Sequence, residues 1–176
     1  MAAPIIVVTG PCGAGKTTIG RLVAETFDPG VHLRMDDFWP FVVKGWIDPN
    51  LPEAAHQNHV LGGAAATSAM TLAEGGYTVV VDGHVFPDAL PQLQWACRTR
   101  AIPLHYVVLR TELATCTDRV AGREGTHEYE DGLGALHARY VGLGDHEANV
   151  IDSSGPPEDV ADAVLSAYAA GTLRVS

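Results

Sequence analysis

The chain has 176 residues, of which 47% are hydrophobic and 18% are charged, a composition typical of one compact domain with a substantial core. Its 21 acidic and 11 basic residues give a formal net charge of −10, which argues against a general nucleic-acid binder or an anionic-membrane binder. The longest apolar runs fall short of the roughly 18 residues of a membrane-spanning helix.

Compartment is indicated by the N-terminal residues and by the cysteines. The N-terminal residues do not show the charged region and cleavage site of a secretory signal. Cys12, Cys97 and Cys116 are odd in number and far apart, without metal-ligand spacing. We therefore expect reduced thiols and a cytoplasmic protein.

In chain order, apolar β-branched runs alternate with segments of helical periodicity. The runs predict five strands, at residues 4–9, 31–35, 77–81, 104–109 and 149–151. The segment 36–50 is predicted to be irregular, since it contains two prolines and a glycine. This alternation predicts a parallel sheet covered by helices on both faces, within a single domain spanning residues 1–176.

Helices are predicted from apolar spacing and from start and stop signals. The first follows residue 15 and closes at Pro29-Gly30, the second covers about 52–75, and the third begins near Asp88. A fourth is expected to be capped by Thr111, a fifth to run to about Leu143, and a sixth to start at Pro156. The predicted buried positions of the fourth and sixth helices are Leu113, Cys116, Val120, Val160, Ala163, Val164, Ala167 and Tyr168.

The strongest motif lies between the first strand and the first helix. Residues 10–17 read Gly-Pro-Cys-Gly-Ala-Gly-Lys-Thr and fit the pattern G-x-x-x-x-G-K-[ST]. Loop N–H groups and the helix N-terminus would face phosphate oxygens, with Lys16 at the β- and γ-phosphates and the Thr17 hydroxyl on Mg²⁺. The predicted phosphate-binding residues are Gly10, Pro11, Cys12, Gly13, Ala14, Gly15, Lys16, Thr17 and Thr18.

Acidic residues follow two of the predicted strands. Asp82 ends the third strand, where a carboxylate can hold Mg²⁺ beside the phosphates, although an ordinary Asp-Gly turn is the alternative. Asp36 and Asp37 follow the second strand at the same sheet edge. Transfer of a phosphoryl group to an alcohol needs a carboxylate to orient the hydroxyl and accept its proton. One of these two acids could do this while its neighbour points elsewhere.

Two further segments complete the predicted cleft. Arg119 and Arg123 enter a polar, Gly-rich interval at about 119–134, which could close as a lid and bring guanidinium charge to the γ-phosphate. Rings are concentrated between Phe38 and Trp46, where they form either a core flap or an acceptor pocket. The predicted acceptor-binding residues are Asp36, Asp37, Phe38, Trp39, Phe41, Trp46, His84 and Phe86.

With these motifs the chain resembles the P-loop small-molecule kinases, a group that includes shikimate, gluconate and adenylate kinases and the chloramphenicol phosphotransferases. The resemblance implies a P-loop NTPase-type three-layer sandwich with a five-stranded parallel sheet ordered 2-3-1-4-5. It also implies that Asp36, the first acid after the strand, is the base, and that Asp82 supports Mg²⁺. By the same resemblance, Arg119 and Pro156 would sandwich the adenine ring and residues 119–134 would form the lid.

Departures from the family pattern narrow the acceptor. Gly83-His84-Val85 stands where shikimate kinases have a glycine triplet, and residues 38–75 contain only one cation, Lys44. Gluconate, shikimate and nucleotide acceptors are therefore disfavoured. A neutral or weakly polar hydroxylated compound remains, and an antibiotic-like molecule, hence a resistance role, is the leading hypothesis.

The sequence thus predicts an ATP- and Mg²⁺-dependent phosphotransferase with a small-molecule hydroxyl as acceptor. Asp36, Lys16 and Arg123 are the predicted catalytic residues, and Thr17 and Asp82 are the predicted metal ligands. One alternative is a nucleoside or nucleotide-sugar kinase in the manner of zeta toxins. Another is a nucleotide-dependent switch protein with slow ATPase activity. No nucleic-acid or membrane partner is expected, and the chain is expected to be a monomer or homodimer.

Overall fold

The β-branched runs of the sequence form a five-stranded sheet in the computed structural model, which describes residues 2–122 and 132–175. The strands are β1 (Ile5–Thr9), β2 (Gly30–Arg34), β3 (Thr78–Asp82), β4 (Leu104–Arg110) and β5 (Val150–Asp152). The pairings between them are parallel, in the order β2-β3-β1-β4-β5. The predicted fold class and strand order are therefore confirmed.

Six α-helices connect or follow the strands within the described residues. They are α1 (Lys16–Ala24), α2 (Ala55–Glu74), α3 (Leu90–Thr99), α4 (Leu113–Ala121), α5 (Leu133–Ala138) and α6 (Pro157–Ala169). Short 3₁₀ helices cover Met35–Phe41, Pro52–Ala54, Pro87–Ala89 and Gly144–Asn149. No helix in this part of the chain is long and apolar enough to cross a bilayer.

The alternation of side chains along β1 divides the core into two layers. Ile5 and Val7 pack on one face of the sheet, with residues of α2 and α3. Ile6 and Val8 pack on the opposite face, with residues of α1 and α6. All four are at most 1% exposed, and burying each such side chain contributes about 1.5–3 kcal/mol. The three central strands are thus fixed between two helical layers.

Strand register brings three chain segments to one edge of the sheet. Val8 of β1 lies opposite Asp82 of β3, and Asp82 lies opposite Arg34 of β2. Because the strands are parallel, the residues after each carboxyl end meet there. The loop that begins at Gly10 and the 3₁₀ helix that contains Asp36 therefore lie at the same edge as Asp82.

Several predicted boundaries differ from the structure. β3 includes Asp82 because its backbone continues the ladders to both neighbouring strands. β2 and β5 are likewise shifted by one residue, and β4 extends to Arg110. α1 ends at Ala24, five residues before the turn that was expected to close it. Residues 35–41 form a 3₁₀ helix instead of an irregular segment.

The predicted cap and buried face of α4 are also partly wrong. Thr111 does not cap this helix. It follows directly after the end of β4 at Arg110, and the Thr111 side chain is buried. Glu112 stands at the N-cap position without a side-chain hydrogen bond to the helix. Leu113, expected inside, is 41% exposed, whereas Cys116 and Val120 are buried as predicted.

The last two helices differ in extent and in one core position. α5 ends at Ala138, five residues before the predicted end at Leu143, and glycines 142 and 144 have positive φ values that are incompatible with a continuing helix. In α6, Ala163 is exposed, and Ala161 takes the buried position beside Val160 and Val164.

Candidate active site

The loop between β1 and α1 has a backbone path that requires glycine. Gly10 and Gly13 have φ values of +147° and +82°, in the region that L side chains rarely adopt. A Cβ atom at Gly10 would lie 2.2 Å from the carbonyl oxygen of Leu109, and one at Gly13 would lie 2.4 Å from that of Cys116. The loop is therefore pressed against β4 and α4, and its amides are held in a fixed arc at the start of α1.

Lys16 is turned into this loop. Its Nζ donates to the carbonyl oxygens of Gly10 at 3.0 Å and Pro11 at 3.1 Å, and only 9% of the residue is exposed. The loop thus holds a buried ammonium group, to which a ligand with several negative charges can bind. Thr17 and Thr18, the next residues of α1, are exposed, so their hydroxyl groups are accessible at the helix N-terminus.

The donor set near the loop fits Mg²⁺ held jointly with phosphate. The Asp82 carboxylate is buried, with 2% exposure, at the end of β3, and Thr17 offers a hydroxyl oxygen. Within residues 2–122 and 132–175, no group of three or more His, Cys, Asp or Glu side chains could hold a metal alone. Mg²⁺ is commonly bound by one or two protein oxygens, with substrate phosphates and water completing its shell. These two side chains suit that mode.

Asp36 lies in the first turn of the 3₁₀ helix after β2. The residue is exposed overall, but partial desolvation by the surrounding protein raises the pKa of its carboxyl group. The charge of Lys16 opposes the rise, whereas the charge of Asp82 reinforces it. The charges of the loop lysine and of the candidate metal ligand therefore both influence the protonation of Asp36.

Asp37 has a different environment from its neighbour. Its Oδ1 lies 3.4 Å from Nη1 of Arg34, and both side chains are about half exposed. An ion pair so exposed contributes little to stability. Asp37 is thus paired at the surface, whereas Asp36 is the acid whose pKa is affected by the charges of Lys16 and Asp82.

The aromatic segment after Asp36 is tied to α2. Trp39 Nε1 donates to Asn58 Oδ1 at 3.0 Å, and the Gln57 amide exchanges two hydrogen bonds with the backbone of Ile47. The rings of Phe38 and Phe41 meet edge to face at 5.6 Å. Two rings of this segment stay exposed, Phe41 by 71% and Trp46 by 53%. The segment is anchored through its polar groups and presents rings to solvent.

His84 takes part in a hydrogen-bonded network that the sequence did not predict. The Tyr140 hydroxyl lies 3.0 Å from both His84 Nδ1 and Thr9 Oγ1, and His84 Nε2 lies 3.6 Å from Cys12 Sγ. Burial, reinforced by the charges of Lys16 and Arg139, lowers the pKa of His84 to about 3, so the ring is neutral. The network joins the end of β1 and the phosphate loop to the segment after α5.

Phe86 is stacked between side chains instead of standing free. The Arg139 guanidinium carbon lies 3.3 Å from the centre of its ring, and the Tyr140 ring lies 5.1 Å away, centroid to centroid. Beside this stack is a cavity of about 360 Å³, lined by Phe86, Pro87, Asp88, Ala138, Arg139, Val141, Gly142 and Leu143. No sequence motif marks Arg139 or Tyr140, and only the tertiary fold brings them to His84 and Phe86.

Arg119 connects the phosphate loop with the segment before α6. Its guanidinium donates to the carbonyl oxygens of Gly13, Ser153 and Ser154 at 3.3, 3.0 and 3.3 Å. Pro156 is exposed and directly precedes α6. Arg119 thus joins the phosphate loop to the segment before α6 through its hydrogen bonds. Arg123, the other predicted lid arginine, lies outside the described residues.

Comparisons with known proteins agree with this geometry. Residues 6–141 match the family model described as AAA domain. No curated protein shows significant sequence similarity to the chain. The solved structures that resemble it include an unliganded sugar kinase from Janibacter sp. HTCC2649, with 20% identity, a TM-score of 0.72 and 93% of each chain covered.

Two other solved structures cover almost the whole chain. The tunicamycin resistance protein of Deinococcus radiodurans is 20% identical, with a TM-score of 0.65 and 99% of each chain covered. The Mycobacterium tuberculosis APS kinase CysC, solved with AMPPNP and APS, is 16% identical, with a TM-score of 0.67 and 96% and 98% of the two chains covered. At these identities the likeness shows the fold. With its phosphate loop, sheet order and matched residues, the chain belongs to the AAA-domain family and has the fold of the P-loop small-molecule kinases.

Proposed function

We propose that this protein is an ATP- and Mg²⁺-dependent phosphotransferase that moves the γ-phosphoryl group to a hydroxyl group of a small molecule. The observation that carries the proposal is the position of Asp36. It lies at the carboxyl edge of the sheet beside the phosphate loop, and its pKa responds to the charges of Lys16 and Asp82. A phosphate cradle alone is sufficient for nucleotide binding, whereas transfer to a hydroxyl group also needs a carboxylate that orients the hydroxyl.

The nucleotide side of the reaction follows from the loop. The loop amides and the N-terminus of α1 would bind the phosphates of ATP, and Lys16 would exchange its two carbonyl partners for phosphate oxygens. Thr17 and Asp82 would hold Mg²⁺, which when bound neutralises charge on the phosphates. Arg119 and Pro156 would contact the adenine ring, and Arg123 would stabilise the charge of the phosphoryl group as it transfers.

On the acceptor side, Asp36 would accept a hydrogen bond from the substrate hydroxyl and orient its oxygen toward the γ-phosphorus. As the new P–O bond forms and the bond to ADP breaks, the hydroxyl proton would pass to the Asp36 carboxylate. Desolvation raises the pKa of Asp36, which improves the carboxylate as a proton acceptor, and the charge of Lys16 opposes that rise.

The chemistry of the acceptor is inferred from the aromatic segment. We propose that residues 38–75 form the acceptor-binding flap and helix. The lid predicted at residues 119–134 lies largely outside the described residues. The rings of Phe38, Phe41 and Trp46 suit an apolar or neutral compound, and Lys44 is the single cation of this region. An antibiotic-like hydroxylated molecule fits that surface, and a resistance protein has the same fold. All three cysteines are in the reduced form, which supports a cytoplasmic location.

The proposal is tested by an acceptor screen with the purified chain, ATP and Mg²⁺. Neutral hydroxylated antibiotics form the main arm, and nucleosides, nucleotide sugars, gluconate and shikimate form the others. ADP release and the ³¹P NMR signal of a phosphate ester are measured together. We expect acceptor-stimulated ADP release with ester formation in the antibiotic arm. Ester formation only with nucleosides or nucleotide sugars would transfer the activity to that class. Slow ADP release that no acceptor changes would overturn the proposal in favour of a nucleotide-dependent switch.

A further inference from the structure

His32 of β2 makes a contact with Asp82 that the phosphate loop motif does not require. Strand register places His32 opposite Val80, so Asp82, two residues further along β3, lies on the same face of the sheet. The His32 Nε2 atom is 2.8 Å from Asp82 Oδ2, and the two side chains are 14% and 3% exposed. This is a short, largely buried contact at the residue to which we assign a metal-binding role.

The direction of the hydrogen bond follows from the two groups. An ionised carboxylate can only accept, so the hydrogen must be on His32 Nε2. A buried carboxylate is costly unless a donor or a cation faces it, and His32 provides the donor. The bond occupies Oδ2 and leaves Oδ1 for a cation or for a water molecule bound to one.

Helix α1 covers this pair at a glycine. A Cβ atom at Gly20 would lie 3.0 Å from His32 Nε2 and 3.5 Å from Asp82 Cβ. Glycine inside a helix costs about 1 kcal/mol relative to alanine, and here it makes room for the imidazole. The same helix begins with Lys16 and Thr17, so the covered pair and the phosphate cradle share one rigid element.

We propose that His32 is a positioning residue for the metal site: its Nε2–H group fixes the Asp82 carboxylate in the orientation that, together with Thr17, holds the Mg²⁺ of the nucleotide complex. The inference rests on the proposed function, since it deepens the metal site assigned there. Hydrogen-bonding partners of ligating side chains typically contribute 10- to 100-fold to metal affinity. His32 makes no contact with nucleotide or acceptor in this role.

The chain offers a matched pair of substitutions at this position. In His32→Gln the side-chain amide nitrogen is as many bonds from Cβ as the imidazole Nε2, so it can still donate to Asp82. In His32→Asn the amide nitrogen corresponds to Nδ1 and does not reach. Val31→Ala is the control, because Val31 is the preceding residue of β2 and packs into the core on the opposite face, where its loss weakens the strand without touching Asp82.

The experiment measures Mn²⁺ affinity by electron paramagnetic resonance, with saturating non-hydrolysable ATP analogue and no acceptor. Analogue affinity in EDTA is measured by calorimetry. We expect His32→Asn to weaken Mn²⁺ binding about 10- to 100-fold, with His32→Gln and Val31→Ala within about threefold of the parent chain. Analogue affinity in EDTA should stay within about twofold in all of them.

The outcomes separate this inference from the proposed function. Equal Mn²⁺ affinity in His32→Asn and the parent chain would overturn the positioning role while leaving the metal site intact. An equal loss in Val31→Ala would assign the effect to strand stability and would also overturn it. A parent chain that binds the analogue but no Mn²⁺ would contradict the metal site of the proposed function itself.

Discussion

The proposed nucleotide side of the cleft is built from buried, hydrogen-bonded groups, whereas the proposed acceptor side presents exposed rings. Lys16 and Asp82 are each less than 10% exposed, and Phe41 and Trp46 each exceed 50%. The buried side is fixed before any ligand arrives, through the arc of the loop and the bonds of Arg119. The exposed side would gain its contacts when the proposed acceptor covers it. From this difference in burial we expect nucleotide binding and acceptor binding to respond to different substitutions.

The largest expected effect on ATP affinity separates the two lysines of the chain. Lys16→Ala removes the ammonium from the cradle, and we expect phosphoryl transfer to fall about 1,000-fold with a clear loss of ATP affinity. Lys44→Ala, in the acceptor flap, should leave ATP affinity unchanged. Calorimetry with ATP and Mg²⁺ on both variants checks this. ATP binding by Lys16→Ala as tight as that of the parent chain would contradict the assignment of the cradle.

The second prediction concerns the pH dependence of the buried scaffold behind the loop. His84 is neutral in the folded chain because its pKa is lowered to about 3, whereas in the unfolded chain it titrates near 6.5. As the pH falls below about 6.5, His84 therefore binds a proton in the unfolded chain but not in the folded chain. Stability contributed by the neutral ring is complete above that pH and declines toward pH 3.

Urea unfolding at a series of pH values measures this effect. We expect the free energy of unfolding of the parent chain to fall by about 2 kcal/mol between about pH 6.5 and about pH 5 through His84. His84→Gln should show a correspondingly flatter slope, while His56→Gln, at an exposed position of α2, should keep the parental slope. A slope that His84→Gln leaves unaltered would mean that another group controls acid stability.

The smallest effect is expected on the exposed side. Phe41→Ala and Trp46→Ala each remove one ring from the flap, so we expect the acceptor KM to rise about tenfold with the KM for ATP unchanged. Because both rings are exposed, unfolding free energy should change by no more than about 0.5 kcal/mol. Trp95→Ala is the matched control, since Trp95 is 64% exposed on α3, outside the flap. Equal KM changes in all three variants would remove the flap from acceptor binding.

The same contrast explains which parts of the molecule were predictable. The phosphate loop is encoded within eight consecutive residues, and its flanking strand and helix carry clear periodicities, so Lys16 and Thr17 could be assigned directly. Strand order came from the family resemblance, since periodicity does not encode which strands pair. The contacts of His32, Arg139 and Tyr140 could not be predicted from the sequence. Each joins the residue to one more than 45 positions away, and only strand register or loop packing creates it.

Boundary errors have a related cause. Thr111 is a favourable N-cap residue by composition, yet the sheet continues to Arg110 and buries Thr111 before the helix begins. The helix after the Gly-rich interval stops at Ala138, and Tyr140 beyond it is fully buried against Thr9 and His84. In both cases tertiary packing overrides the local signal.

A comparison of Asp36→Asn with the parent chain tests most directly whether Asp36 is the base that accepts the hydroxyl proton. ATP affinity is measured for both chains, together with the pH profile of kcat/KM for an acceptor found in the screen. The asparagine keeps the shape of the side chain but cannot accept the hydroxyl proton. We predict unchanged ATP affinity, transfer reduced about 100- to 10,000-fold, and loss of the fall in kcat/KM that protonation of Asp36 causes at low pH in the parent chain. Phosphoryl transfer by Asp36→Asn at the parental rate would contradict the account.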